Sequence, residues 1–180
     1  MTEHIKLRPV REEELVLLDQ LTRGTDDPGD VNSFGWQPSR WRQRFDHDQL
    51  LGPDGGVLMV QAGSEPAGIA QWWRPSPQWP QTSCWRLAMY LLPDARGHGC
   101  GTRAHRLLTG YLLAHTPAHR LEAETDLDNQ AAQHVLERNG YTREGVLRAS
   151  HWRHGAWRDS VLYSLLRTDP APGRSDVGPG

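Results

Sequence analysis

Leu91-Leu92-Pro93-Asp94-Ala95-Arg96-Gly97-His98-Gly99-Cys100-Gly101-Thr102 is the stretch on which the reading of this chain turns. Apolar residues run into Pro93, glycines stand at 97, 99 and 101, and an amphipathic segment begins directly after them. That order reads as a strand, a tight turn and a helix. Glycine lets a backbone approach a ligand closely, and a helix start turns its first amides outward with about half a positive charge behind them. Such a turn is an anion site, and Arg96 can add a charged hydrogen bond to a phosphate oxygen. Two familiar glycine loops fit poorly. A Walker loop needs a lysine before its Ser or Thr, and Gly101 is followed directly by Thr102. A dinucleotide fingerprint needs GxGxxG after the first strand, whereas here the spacing is GxGxG and the position is mid-chain. A plain strand-to-helix turn stays open.

Outward from the loop, Ser83 to Leu92 reads as the strand that Pro93 ends. Gly101 to Ala114 reads as the helix, with Leu107, Leu108, Tyr111 and Leu112 on its buried side. Arg120 to Thr125 returns as a strand, and Asn129 to Arg138 forms a short helix that Asn139-Gly140 closes. Tyr141 to His151 and Trp157 to Leu166 make an antiparallel pair turning at His154-Gly155. Toward the N-terminus, Val57 to Gln61 and Ala67 to Trp73 form a hairpin behind a turn at Pro53 to Gly56. Helices are expected over Glu12 to Leu21, with Leu15, Leu18 and Leu21 at helical spacing, and over Ser39 to Leu50. Ile5 to Pro9 is the first strand. The order β-α-α-β-β-β-α-β-α-β-β gives a mixed α/β sheet with helices on both faces. Residues 1–167 are expected as one domain, and the tail 168–180, with almost no apolar content, as disordered.

Composition agrees with a single soluble domain. The 180 residues are 37% hydrophobic and 23% charged, with a formal net charge of -2. That balance makes no electrostatic case for nucleic acid or a membrane surface. No apolar run approaches the roughly 18 residues that span a bilayer, and the charged N-terminus lacks a signal-peptide core, so a cytoplasmic location is expected. Cys84 and Cys100 form no CxxC pair and read as reduced thiols. The histidine pairs His115/His119 and His151/His154 lack companion ligands, so no metal is expected.

Two further segments complete the pattern. Asp126-Leu127-Asp128-Asn129-Gln130-Ala131-Ala132 leads to Val135-Leu136-Glu137-Arg138-Asn139-Gly140-Tyr141, and Arg143-Glu144-Gly145-Val146-Leu147-Arg148 precedes Gly155-Ala156-Trp157-Arg158-Asp159. With the Arg-x-x-Gly-x-Gly loop, the chain resembles the GNAT superfamily of N-acetyltransferases, and its last segment resembles the RimJ/RimL-like branch. The resemblance implies a central, mostly antiparallel twisted sheet in which the strand before the loop splays from its neighbour in a V. It implies acetyl-coenzyme A as cosubstrate, its pantetheine arm bonded to the backbone of Leu91 and Leu92. The diphosphate would rest on Arg96, Gly97, His98, Gly99, Cys100, Gly101 and Thr102. Asn129 would bond the pantetheine side, and Arg138 would meet the nucleotide end. A homodimer is the assembly that the branch implies.

The same resemblance implies direct attack of a neutral amine on the thioester, with a base to take the amine proton. The glutamate common in the family, seven residues before the proline, is Arg86 here, and the common tyrosine is Leu136. An arginine cannot act as base. His151 is the leading replacement, because imidazole titrates near neutral pH. Glu124 and Asp126, acting through water, are the secondary candidates. For the acceptor, Asp26, Asp27 and Asp30 with Trp36, Trp41, Trp73 and Trp152 are the candidate walls of an acidic, aromatic cleft. That favours a small-molecule primary amine such as an amino sugar, an antibiotic or a polyamine. A protein N-terminal amine and a non-catalytic coenzyme A-binding module are the alternatives.

Overall fold

Val57-Leu58-Met59-Val60 alternates sides, as a strand must, yet all four residues are 8% exposed or less. A strand buried on both faces needs a layer of helices above it and another below. The computed structural model, which describes residues 4–22, 41–75, 84–153 and 155–170, supplies both. Its strands are β1 (Ile5–Pro9), β2 (Leu51–Gly52), β3 (Gly55–Ala62), β4 (Glu65–Trp73), β5 (Cys84–Leu91), β6 (Arg120–Asp126), β7 (Thr142–Arg153) and β8 (Ala156–Leu166). Its helices are α1 (Leu15–Thr22), α2 (Trp41–Asp48), α3 (Cys100–His115) and α4 (Gln130–Arg138). The sheet runs β1-β3-β4-β5-β6-β8-β7, with β2 added beside β3. Only the β5–β6 pairing among these is parallel. No helix among the described residues is long and apolar enough to cross a membrane.

Val57, Met59 and Ile69 face α1 and α2, packing with Leu15, Leu18, Phe45 and Leu50. Leu58, Val60, Ala70 and Trp72 face the other way, into a larger core shared with α3, α4 and the C-terminal strands. There Ala104, Leu108 and Leu112 of α3 are fully buried. Truncating either leucine to Ala should cost on the order of 2–5 kcal/mol.

Three expectations need correction. The buried stripe of α3 lies one position over from the one expected. Leu107 is 43% exposed and Tyr111 42%, whereas His105 and Thr109 point inward. Ala104, His105 and Thr109 score weakly as apolar residues, so the leucines and Tyr111 drew the stripe toward themselves. Tyr111 instead lays its ring edgewise on Trp72 at 5.9 Å. Glu12–Glu14 forms a 3-10 turn, and the α-helix proper starts at Leu15. Glu14 is drawn away to pair with Arg8 at 2.5 Å while it caps the Arg11 amide at 2.8 Å. The two-residue strand β2 was not expected.

The end of α4 closes as expected, and it fixes the site. Gly140 is left-handed, the Tyr141 amide reaches Leu136 O at 3.1 Å, and the Gly140 amide reaches Glu137 O at 3.0 Å. Asn139 Nδ2 crosses to Thr102 O at 3.2 Å, tying the end of α4 to the start of α3.

Candidate active site

β5 and β6 pair in parallel from Cys84↔Arg120 to Leu87↔Ala123, and then they part. Each stays in register with its other neighbour. β5 follows β4 to Gly68↔Leu91, and β6 follows β8 to Asp126↔Ser160. The expected splay is therefore present, but no bulge produces it in the β4–β5 register, which runs without a shift. The two halves of the sheet simply follow their own twists. Gly68 belongs to this arrangement: a Cβ there would lie 2.1 Å from Tyr90 O, so only glycine lets β4 hug β5 at the wedge.

The wedge opens into a cavity of about 620 Å³, the size range of small-molecule and cofactor sites. One wall is Ala88 to Leu91 of β5, another Glu124 and Thr125 of β6, and the starts of α3 and α4 close the end. Ala88 to Leu91 keep their β4 pairing while their other edge faces this space. An extended chain can add there as a strand adds to a sheet.

The glycine loop meets the cavity at its end. A short 3-10 turn, Pro93–Ala95, carries the chain round from β5, and α3 begins behind Gly99. Gly99 holds φ 76, a left-handed conformation that glycine takes without strain. The first backbone bond of the helix is Arg103 N–H to Gly99 O at 3.2 Å. The amides of Gly101 and Thr102 thus belong to the outward-pointing first turn. Arg96 turns its Nε onto Leu91 O at 3.1 Å, which pins the loop to the end of β5. On α4, Asn129 is buried and caps its own helix by accepting from the Ala132 amide at 3.0 Å.

Of the residues expected in the site, Leu91, Arg96, Gly97, Gly99, Gly101, Thr102, Glu124, Asn129 and Arg138 line the cavity. Leu92, His98, Cys100, Asp126 and His151 do not. His98 is exposed on the loop, and Cys100 is buried in the core behind it. Asp126 lies 1% exposed at the end of β6, its Oδ2 3.3 Å from His151 Nε2 and 2.8 Å from Arg153 Nη1. Glu124 alone of the three acid–base candidates faces the cavity. Its Oε1 accepts from the Ser160 hydroxyl, and its Oε2 receives Arg86 Nη1 at 3.4 Å. Arg86 bonds Glu122 as well, at 3.1 Å. Burial works to raise the Glu122 carboxyl, but its pairings with Arg120 and Arg86 outweigh it and hold the group below the usual carboxylate range.

Three of the expected cleft walls lie among the described residues. Trp41 packs beside α1 and donates to Thr22 Oγ1 at 3.1 Å, Trp73 is part-exposed at the end of β4, and Trp152 pairs with Trp157 at the hairpin, rings 5.4 Å apart. Asp26, Asp27, Asp30 and Trp36 lie outside the described residues, as do the hairpin residue His154 and the tail beyond 170. Sequence reasoning missed Ser160 and Ser150, which connect Glu124 to His151, and His105 in the cavity wall. No motif marks the serines, because strand register brings them together; His105 was detectable as a polar residue at i+1 and i−3 of buried positions on α3.

Comparison with known proteins places this geometry. The family model for the acetyltransferase (GNAT) domain matches residues 4–142. The curated Bacillus subtilis (strain 168) protein called Probable N-acetyltransferase YjcK is 33% identical over 81 residues. That match covers 44% of this chain and 45% of YjcK, so it spans less than half of that relative's length. Among solved structures, the ribosomal L7/L12 alpha-N-protein acetyltransferase RimL, in complex with coenzyme A, is similar with a TM-score of 0.72 at 20% identity, covering 92% of this chain and 95% of its own. The spermidine N-acetyltransferase of Vibrio cholerae, in complex with coenzyme A and spermine, gives 0.74 at 13% identity, covering 92% and 96%. Mycobacterium smegmatis RimJ, in complex with coenzyme A disulfide, gives 0.68 at 19% identity, covering 91% and 82%. At these identities the likeness to solved structures is one of fold.

Proposed function

The chain belongs to the GNAT acetyltransferase family, and on that premise we propose that it transfers the acetyl group of acetyl-coenzyme A to a primary amine of a small molecule. The observation that carries this is the free edge of Ala88 to Leu91, facing Glu124 across the wedge and leading straight into the loop at the start of α3. The residues suit the cosubstrate. An extended pantetheine arm can bond along that edge, and a diphosphate can settle on the outward amides of Gly101 and Thr102 beside Arg96. Asn129 and Arg138 stand along the α4 wall of the same cavity.

Chemistry follows from placement. An ammonium group entering opposite the thioester loses one proton to the Glu124 carboxylate, the neutral nitrogen bonds the acetyl carbon, and the carbon–sulfur bond breaks as the leaving sulfur takes a second proton from that nitrogen, which releases the thiol and the amide. A β5 amide near Leu91 stabilises the negative charge that grows on the acetyl oxygen. Holding the two reactants in line contributes most, since oriented reactions reach effective molarities of about 10⁵ M or more. The mild net charge of -2 and the carboxylate at the wedge favour a small cationic amine over a protein terminus.

The test follows free thiol release from acetyl-coenzyme A with a panel of polyamines, amino sugars and peptides of free N-terminus. Release with the small amines is expected, and Glu124→Gln should lower kcat at least tenfold while coenzyme A affinity stays within twofold. Turnover confined to the peptides would replace the acceptor with a protein terminus. Tight coenzyme A binding with no turnover on any amine would favour a non-catalytic binding module.

A further inference from the structure

Each acetylation that starts from an ammonium ion yields one proton, and Glu124 must be rid of it before the next turnover. Resting on the reading of the slot above, we propose that this proton travels from Glu124 through the hydroxyls of Ser160 and Ser150 to His151, where Asp126 holds it until it passes to water.

The four side chains form a continuous chain. The Ser160 hydroxyl donates to Glu124 Oε1, Ser160 Oγ lies 2.7 Å from Ser150 Oγ, and Ser150 Oγ lies 3.2 Å from His151 Nδ1. On the far side of the ring, His151 Nε2 stands 3.3 Å from Asp126 Oδ2. Ser160 is fully buried, whereas Ser150 is exposed, so the chain runs from the cavity wall to the surface.

The backbone departs from regularity at the point where this contact is made. β7 pairs Leu147 with Ser160 and next pairs His151 with Arg158, so residues 148–150 stand opposite Asp159 alone. Continued without a shift, the register would set Ser150 opposite Trp157, three positions from Ser160. The bulge draws Ser150 back onto Ser160. Its centre is Ala149 at φ 49, a left-handed conformation unfavourable for a residue with a side chain, and Asp159 Oδ1 holds the Ala149 amide at 2.8 Å. Strain kept in this way marks positions whose geometry is used.

The proton balance closes. The Asp126 carboxylate, in ionic contact with Nε2 at 3.3 Å, draws the proton of neutral His151 to that nitrogen, and Nδ1 can accept from Ser150 once that hydroxyl turns away from Ser160. When Glu124 is protonated the hydroxyls reverse. The Glu124 O–H bond breaks, Ser160 and Ser150 each gain one proton and lose another, and an N–H bond forms at His151 Nδ1. Ser160 is buried and Ser150 is open to water, so the proton leaves at the His151 end. The charged groups that face the ring are Asp126 on β6, Arg153 on its own strand and Arg158 across on β8; Asp159 lies at the bulge, and Arg86 stands at the Glu124 end.

Ser150 is at the surface, so its replacement leaves the fold intact. Using the full chain and an amine that it acetylates, Ser150→Ala should lower kcat at least fivefold with KM for both substrates unchanged. Ser150→Thr, which keeps the hydroxyl, should restore kcat to within twofold. His151→Ala should lower kcat at least tenfold at unchanged coenzyme A affinity and recover in part with added imidazole. Nitrogen NMR of the wild type, which needs no turnover, should find neutral His151 protonated at Nε2. Wild-type kcat in Ser150→Ala, or the neutral proton on Nδ1, overturns the relay and leaves the acetyltransferase reading standing. A wild type that releases no thiol with any amine overturns that reading, and the relay with it.

Discussion

His105 sits 4% exposed on α3, its ring 5.0 Å from that of Tyr141 and its Nδ1 3.5 Å from Thr109 Oγ1. Burial pushes its imidazole down to about 4, against about 6.5 in an unfolded chain. The unfolded chain therefore takes up a proton that the native state refuses until the pH nears 4. The stability tied to neutral His105 is fully present above pH 6.5 and is lost as the pH falls toward 4. With those two values the loss is about 2 kcal/mol on going from about pH 8 to about pH 5, and about 3 kcal/mol when complete. Urea unfolding followed by circular dichroism at the two pH values measures it. His105→Gln keeps a polar group beside Thr109 but cannot titrate, so its own loss over the interval should be smaller by about 2 kcal/mol. Comparing each protein with itself removes the packing cost of the substitution. Glu14 and Glu122, held below the usual carboxylate range, contribute alike to both proteins. Equal losses in the two proteins would refute the assignment of a neutral, desolvated His105.

Gly99→Val places a branched residue at φ 76, where the nearest atom to a Cβ is Arg103 Nη2 at 3.9 Å; the fold should survive a strain of roughly 1–2 kcal/mol, while calorimetry should find coenzyme A bound at least tenfold more weakly. Unchanged affinity would contradict the loop as the diphosphate seat. Asn129→Ala removes the α4 cap and should cost about 1 kcal/mol, whereas Asn129→Asp keeps a capping oxygen and should melt as the wild type does. Both should weaken coenzyme A, and a loss confined to the Ala variant would reduce Asn129 to a cap. Arg167→Met breaks bonds of 2.7–2.8 Å from one guanidinium to the carbonyls of Leu113, Thr116 and Ala118. For a residue this exposed the cost should be about 1–2 kcal/mol, a fall in Tm of a few degrees on a thermal melt.

The order of strands and helices was legible because each element announces itself locally: β3 by its apolar run, the turn before α3 by glycines, the end of α4 by Asn139-Gly140. The glycine loop could be placed against the cavity for the same reason, since a strand, a turn and a helix start are contiguous in the chain. What was not legible depends on register. His151 was singled out for its chemistry alone, and the sequence offers nothing to say that Glu124 faces the cavity while His151 faces Asp126. Ser150 meets Ser160 only through an irregular stretch of β7 that no pattern in Arg148-Ala149-Ser150 foretells. The stripe of α3 was misread for a related reason: a helix buries the residues that face its sheet, and there His105 and Thr109 won over Leu107 and Tyr111.

On the proposed reading of Glu124 as base, Arg86 cannot simply be exchanged for the commoner residue. Its guanidinium lies between Glu122 and Glu124, 3.1 Å and 3.4 Å away, with side chains 30%, 14% and 25% exposed. Arg86 on β5 bridges two glutamates on β6, and Arg120 pairs with one of them, so the carboxylate at the wedge comes with its counter-charge. Arg86→Glu would gather three carboxylates there and remove a cation. At an effective dielectric constant near 20 each close pair amounts to roughly 4 kcal/mol before solvent screening, and to about half that or less at this exposure. The variant should therefore melt at least 5 °C lower, by the rule of about 2–4 °C per kcal/mol for a chain of this size. It should also lose turnover, because Glu124 must then share its site with like charges that disfavour an open carboxylate beside the amine. Thiol release at saturating substrate, measured beside a thermal melt, decides the matter. A variant as stable and as fast as the wild type, or faster, would mean that Arg86 is a bystander and that the carboxylate across the wedge is not the base.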